Sequence, residues 1–270
     1  MAKGVYACID GVSRNVKQIP LCIDGVSRNT KTGYACIDGV SRAFFPSETL
    51  IGTLSVGTSV YMNVNGVRKE FLIVNQGRPS TAYDTSCDGT WLLMKDIYSK
   101  RAWDSTNHDY ANSDIRSYLN GTFLGLFDSG VQSIIKQVKL PYRKGTGASM
   151  TVSSGANGLS AKVFLLSASE VGSINTAIES NVMYIPLEGA RLSEMTTYAS
   201  RIAYFNGTAT DWWLRTPDAA NNLFVTHVNE NGNVNRATYI NATYGALLGV
   251  RPALILPSTT LVDESFNIIA

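Results

Sequence analysis

Apolar and polar positions alternate along much of this chain in short, punctuated runs, and the period of the alternation changes from one stretch to the next. Ser59-Val60-Tyr61-Met62-Asn63-Val64, then Asn65-Gly66, then Val67-Arg68-Lys69-Glu70-Phe71-Leu72-Ile73-Val74 predicts a β-hairpin, because Asn-Gly supplies the two positive-φ positions of a type I′ turn. Trp91-Leu92-Leu93-Met94 predicts a further strand. At Ser113 the period lengthens: Ile115, Tyr118 and Leu119 fall on one helical face and Ser113 stands at the N-cap position. Further helical segments are expected over 131–138 and 191–200, and the Gly/Ser/Ala/Thr-rich stretch 144–161 is expected to be a long loop. Residues 163–166 read as a strand, and Ser167-Ala168-Ser169-Glu170 matches a capping box opening a short helix. From Trp212 onward short strands return, ending in Gly249-Val250-Arg251-Pro252-Ala253-Leu254-Ile255-Leu256. Strands at both ends with helices between them predict one compact α+β domain over 50–260, its last strand, 250–256, pairing with the N-terminal part.

Ahead of that domain the pattern repeats itself. Cys8-Ile9-Asp10-Gly11-Val12-Ser13-Arg14 recurs from Cys22 and again from Cys36, a strict fourteen-residue period. Each copy places Asp-Gly between short apolar runs and so predicts a small hairpin. A two-stranded hairpin is marginal alone in water, so the units are expected to stack on one another, on the main domain or on other chains. Pro46 cannot extend a ladder from its nitrogen, which sets a boundary there: repeats over 1–46, a larger domain over 47–270.

Composition narrows the classes. With 44% hydrophobic and 16% charged residues the chain can bury a sizeable core, and a net charge of +2 provides no field to concentrate a polyanion, so no nucleic-acid partner is expected. Met1 to Tyr6 enter the first repeat without an apolar leader, and no stretch reaches the roughly 20 apolar residues that span a bilayer, so no membrane span is expected. Three of the four cysteines hold equivalent repeat positions and Cys87 stands alone, a spacing unlike that of a zinc site.

Catalytic patterns are missing around both histidines. Neither His108, in Asn107-His108-Asp109-Tyr110, nor His227, in Val225-Thr226-His227-Val228, has a nucleophile or zinc signature beside it. His108 reads as a polar surface residue, and Asp104 and Asp109 as turn and capping residues rather than calcium ligands. The reading is therefore non-enzymatic, with no metal and no cofactor.

The informative segment runs from Asp211-Trp212-Trp213-Leu214-Arg215-Thr216-Pro217 to Gly249-Val250-Arg251-Pro252-Ala253-Leu254. With Trp103-Asp104-Ser105 and Asn112-Ser113-Asp114-Ile115-Arg116 upstream, this bracket resembles a family of unknown function widespread in gut bacteria and their phages, over about 50–260. The resemblance implies a C-type-lectin-like fold and a likeness to the variable proteins of diversity-generating retroelements. The N-terminal repeats separately resemble repeats of phage tail and appendage proteins. Calcium-dependent sugar-binding triplets do not occur here, and the paired cysteines of formylglycine-generating enzymes, which share that fold, have no counterpart.

Side-chain chemistry divides the bracket in the same way. Trp212, Trp213, Leu214, Val250, Ala253, Leu254 and Ile255 are core material, with Arg215 and Arg251 as framework residues bound to carboxylates or carbonyls. Between them, in 218–248, lie Asn221, Asn222, Phe224, Thr226, His227, Asn229, Asn231, Asn235, Arg236, Thr238, Tyr239, Asn241, Thr243 and Tyr244. Adaptable amides and hydroxyls with a few large aromatics are the composition of an antibody paratope. These residues are the expected ligand-binding set, and Phe224, Thr226, His227, Asn229, Asn235, Arg236, Thr238, Tyr239, Asn241 and Tyr244 among them are expected together on one exposed face, brought side by side by strands returning on either side of Asn231-Gly232. The expected role is a receptor-binding protein of a phage tail or tail fibre, found in the virion. Its partners would be a protein or glycan receptor on a bacterial surface and, through the repeats, other tail proteins or copies of itself. A bacterial adhesin, at the cell surface or secreted, is the alternative, and an enzyme of the formylglycine-generating type is a third reading.

Overall fold

The computed structural model describes residues 5–9, 12–16, 20–23, 26–29, 34–37, 40–43, 48–106, 108–144, 151–173, 186–218, 224–239 and 247–270, with the six segments before residue 48 and residues 236–239 described by backbone only. Each repeat is a separate two-stranded antiparallel ribbon: Val5–Ile9 with Val12–Val16, Pro20–Ile23 with Val26–Asn29, and Tyr34–Ile37 with Val40–Ala43. The registers Ile9↔Val12, Ile23↔Val26 and Ile37↔Val40 leave two residues at each bend, where the sequence has Asp-Gly, and set Cys8, Cys22 and Cys36 each opposite a serine.

In the main domain the strands that matter are β1 (Ser59–Val64), β2 (Val67–Gln76), β3 (Thr90–Met94), β4 (Ser99–Arg101), β5 (Val163–Phe164), β6 (Trp212–Pro217), β7 (Phe224–Val228), β8 (Val234–Tyr239), β9 (Leu248–Val250) and β10 (Ala253–Leu256). They form two five-stranded sheets, ordered β5-β10-β3-β2-β1 and β4-β9-β6-β7-β8. The β1–β2 hairpin turns on Asn65 and Gly66, both at positive φ (52° and 71°), as Asn-Gly requires. The C-terminal strand does return to the N-terminal part of the domain, since β10 pairs antiparallel with β3. It is not one strand over 250–256, however. Arg251-Pro252 interrupts it, so that β9 belongs to one sheet and β10 to the other. Proline has no N–H for a ladder, and the break lets a single segment tie the two sheets together. A smaller sheet joins Thr49–Leu50, Leu261–Val262 and Ile268–Ile269, linking the domain's first residues to its last.

The expected α+β class, with its C-type-lectin-like form, is overturned: the chain is mostly β, with strand at 36% and several small sheets. Among the described residues the α-helical segments are α1 (Asp114–Tyr118) and α2 (Ser129–Ile134), of five and six residues. Ser113 caps α1 as expected, its Oγ accepting from Arg116 N–H at 3.3 Å. The helix then widens into a π segment (Leu119–Phe123) and tightens into a 3-10 turn (Leu124–Leu126), where Asn120-Gly121 and Gly125 lower helix propensity. Residues 191–200 are turns ending in a 3-10 segment, Ala199–Arg201, and Val138–Leu140 is a strand. Within the expected loop over 144–161, Val152–Ser153 and Leu159–Ala161 pair with Tyr142–Arg143 and Val138–Leu140. No helix among the described residues is long and apolar enough to cross a membrane.

Apolar side chains fill two layers, one on each face of the sheets, rather than one core. Strand alternation assigns them: Leu92, Met94, Trp213, Val225, Leu254 and Leu256 enter one layer, and Trp91, Leu93, Trp212, Leu214, Val228, Ala253 and Ile255 the other. A sheet buried on both faces reads as continuous apolar runs, as in 91–94 of β3, 212–214 of β6 and the whole of β10. All four tryptophans are fully buried, and each indole N–H donates to a backbone carbonyl: Trp91 to Cys87, Trp103 to Leu214, Trp212 to Arg201 and Trp213 to Arg101, at 2.8–3.0 Å.

Candidate functional site

Strand β6 is the rigid floor of the site, and its polar centre is Arg215. The guanidinium is fully buried and grips Glu170 in a two-pronged ion pair, 2.6 and 2.8 Å, while also donating to the carbonyls of Leu165, Pro141 and Glu188. Glu170 earns this place through the capping-box sequence. Ser167 Oγ accepts from Glu170 N–H and Glu170 Oε2 accepts from Ser167 N–H, the reciprocal pair of a capping box, although the chain beyond forms turns and not a helix. Tyr83 completes the shell by donating to Glu170 at 2.9 Å. The framework reading of Arg215 and Arg251 therefore holds: Arg251 is buried, donating to the carbonyls of Met94 and Arg201.

A second buried chain leads from this centre to the start of β7. The Glu188 carboxylate accepts from Thr216 Oγ1 and from the Arg143 backbone N–H, both at 2.5 Å, and burial pushes its pKa up against the pull of Arg215. Arg143 Nη1 stands 3.2 Å from His108 Nε2, and His108 Nδ1 stands 3.4 Å from the carbonyl of Phe224. Arg143 N–H donors fix the tautomer: Nε2 accepts, and Nδ1–H points at the carbonyl. His108 is thus not the polar surface residue expected of it; it is fully buried as an internal strut. Asp104 and Asp109 keep their expected roles. Asp104 accepts from Thr106 and Asp114 N–H, and Asp109 from Ala111 N–H.

Strands β7 and β8 form the predicted hairpin, in the register Phe224↔Tyr239, Val225↔Thr238, His227↔Asn235 and Val228↔Val234. Its turn is built by Asn229, whose Oδ1 accepts from the backbone N–H of Asn231 and Asn233, and by Gly232 at φ +81°. Gly232 answers a second demand: a Cβ there would lie 2.0 Å from the carbonyl oxygen of Tyr198. Asp211, just before β6, ties the turn down, accepting from Glu230 N–H at 2.9 Å and facing His227 Nε2 at 3.4 Å. Burial, then the nearby Glu230, raises Asp211 to about 6, and burial lowers His227 to about 4. At neutral pH the contact is accordingly a neutral imidazole beside a carboxylate, not an ion pair.

Ten of the fourteen were expected on one exposed face, and the structure divides the set. Asn231 is exposed, and Phe224, Asn229 and Asn235 are half-buried. Thr226 and His227 are buried, which corrects their assignment as ligand contacts: β7 is covered on both faces, Thr226 donates to the Thr216 carbonyl, and His227 faces Asp211. Asn229 spends its side-chain oxygen on the turn. Arg236, Thr238 and Tyr239 lie in β8, the outer strand of the sheet, beside β7 as expected. Asn221, Asn222, Asn241, Thr243 and Tyr244 lie outside the described residues. Sequence reasoning missed Arg143, His108 and Glu188, whose partners in this network lie 28 to 116 positions away along the chain and leave no local pattern. Among the described residues no group of three His, Cys, Asp or Glu could hold a metal ion.

Comparison with known proteins gives one family: residues 88–258 match the model described as "Domain of unknown function (DUF6273)". No curated protein and no solved structure matches the chain.

Proposed function

Since the chain belongs to the DUF6273 family, whose description assigns no activity, we propose its role from the surface itself: a non-enzymatic receptor-binding protein of a phage tail or tail fibre. In this reading 218–248 is the recognition segment and the repeats over 1–46 attach it to neighbouring tail proteins. The observation that carries it is the contrast inside one sheet. All six residues of β6 and all of 249–256 are buried, whereas exposed and half-buried amides collect at the hairpin between them. A rigid frame holding adaptable polar side chains at its edge is how binding loops are presented. The ionisable groups of the interior support a non-catalytic role, because Glu170, Glu188, Arg215, Arg143 and His108 are committed to one another. The test is binding of the purified chain to intact bacterial cells, comparing wild type with a variant in which Asn231, Asn235, Arg236, Thr238 and Tyr239 are replaced together. Lost binding with the unfolding transition kept supports the reading. Undiminished binding to the same cells sinks it.

A further inference from the structure

The recognition hairpin does not stand alone at its turn, and the segment packed against it has the same chemistry. Residues 196–199, Thr-Thr-Tyr-Ala, are all exposed, and Tyr198 is 61% exposed, the most exposed large apolar side chain among the described residues. Three contacts hold that tyrosine in place. Its carbonyl oxygen lies where a Cβ on Gly232 would be, so the two backbones touch. The same carbonyl accepts from Arg201 N–H at 3.0 Å, closing a tight turn that Thr197 and Ser200 brace reciprocally. The Arg201 guanidinium sits 5.4 Å from the centre of the Tyr198 ring and reaches the Gly232 carbonyl at 3.4 Å. Arg201 is in turn locked from below, its own carbonyl accepting from Trp212 Nε1 and Arg251 Nη1.

We infer that Tyr198 is a fixed aromatic anchor of the binding surface, contributed from outside the 218–248 segment and forming one composite surface with Glu230 and Asn231, and that the partner it fits is a protein. The inference rests on the reading of 218–248 as the recognition segment. Large aromatics held rigid at low entropic cost dominate protein interfaces, and Tyr flanked by Thr, Ser and Asn is the paratope composition. An exposed turn with an exposed ring beside it suits a broad macromolecular surface. A small molecule is instead taken into a concave, mostly apolar pocket. The arrangement also gives Gly232 a functional reason: it lets the recognition turn and the anchor share one rigid base.

The test uses the full chain and a panel of intact bacterial isolates as probe, read by flow cytometry. Tyr198→Ala is expected to lower binding at least tenfold, Tyr198→Phe to keep most of it, and Tyr204→Ala, an exposed tyrosine outside this turn, to leave it unchanged. Melting temperatures should stay within about 2 °C of wild type. Protease treatment of the cells is expected to abolish binding, and periodate oxidation of their glycans to spare it. Equal binding by Tyr198→Ala and wild type overturns the anchor, and loss on periodate alone overturns the partner class. Should wild type bind no isolate, the proposed function fails and the anchor with it, whereas loss of the anchor alone shows as equal binding by Tyr198→Ala and wild type. NMR order parameters of residues 197–201 below about 0.6, instead of the roughly 0.85 of rigid backbone, would also overturn a fixed anchor.

Discussion

Strands β6 and β7 lie side by side in one sheet and are built on opposite principles. In β6 every side chain is buried, and its one charge, Arg215, is answered by Glu170 and three carbonyls. In β7 burial is nearly as complete but the polar groups are tied sideways, Thr226 to β6 and His227 to Asp211, and by Asn235 in β8 the side chains are half in water. Across three neighbouring strands the sheet passes from frame to display surface. Tolerance to substitution should therefore rise steeply over a distance of two strand spacings, roughly 10 Å.

The frame is where the largest effect is expected. Glu170→Ala strands the Arg215 guanidinium in the interior and should cost about 3–5 kcal/mol, read by urea unfolding, whereas Glu170→Leu with Arg215→Met should recover much of that loss. A cost below about 1 kcal/mol for the single change would mean that the frame does not depend on this pair. At the turn, Gly232→Ala must hold φ near +81° and press its Cβ on the Tyr198 carbonyl, so a loss of about 1–3 kcal/mol is expected. Wild-type stability from Gly232→Ala would show that turn and anchor part without strain.

Acid titration sharpens the comparison at the boundary itself. His227, lowered to about 4, has its contribution in full above its ordinary value of 6.5 and loses it as pH falls from there toward 4. Asp211, raised to about 6 from 3.8, acts in the opposite sense: the native state holds the extra proton, so stability falls as pH rises from about 4 to 6. Between pH 4 and 6 the two slopes oppose each other and nearly cancel. Asp211→Asn should uncover the His227 slope, up to about 1.4 kcal/mol per pH unit with stability rising with pH, and His227→Gln the opposite slope. Identical pH profiles for wild type and both variants would remove this pair from the account. The smallest effect belongs to the display surface: Asn231→Ser should change stability by less than about 0.5 kcal/mol, and a larger loss in thermal unfolding would make Asn231 part of the frame.

Much of this was legible in the residues themselves, and for a local reason. Asn65-Gly66 and the repeated Asp-Gly pairs dictate where the chain reverses, Ser113 caps its helix, and Ser167 with Glu170 closes a capping box, because each signal acts over two to four residues of backbone. The bracket of Trp212 to Pro217 and Val250 to Leu254 announced core, since large apolar side chains have few other places to go. What the sequence could not decide is the use of a residue by a distant partner. Ser-x-x-Glu announced a helix start, but the demand of Arg215 for a buried carboxylate fixed what Glu170 does. Paratope-like composition marked Thr226 and His227 as surface candidates, but apolar layers cover both faces of their strand. His108 looked free until Arg143 and the Phe224 carbonyl, 35 and 116 residues away along the chain, closed on its ring. Local backbone preference is written in neighbouring residues, whereas burial and long-range polar pairing exist only once the sheets have packed.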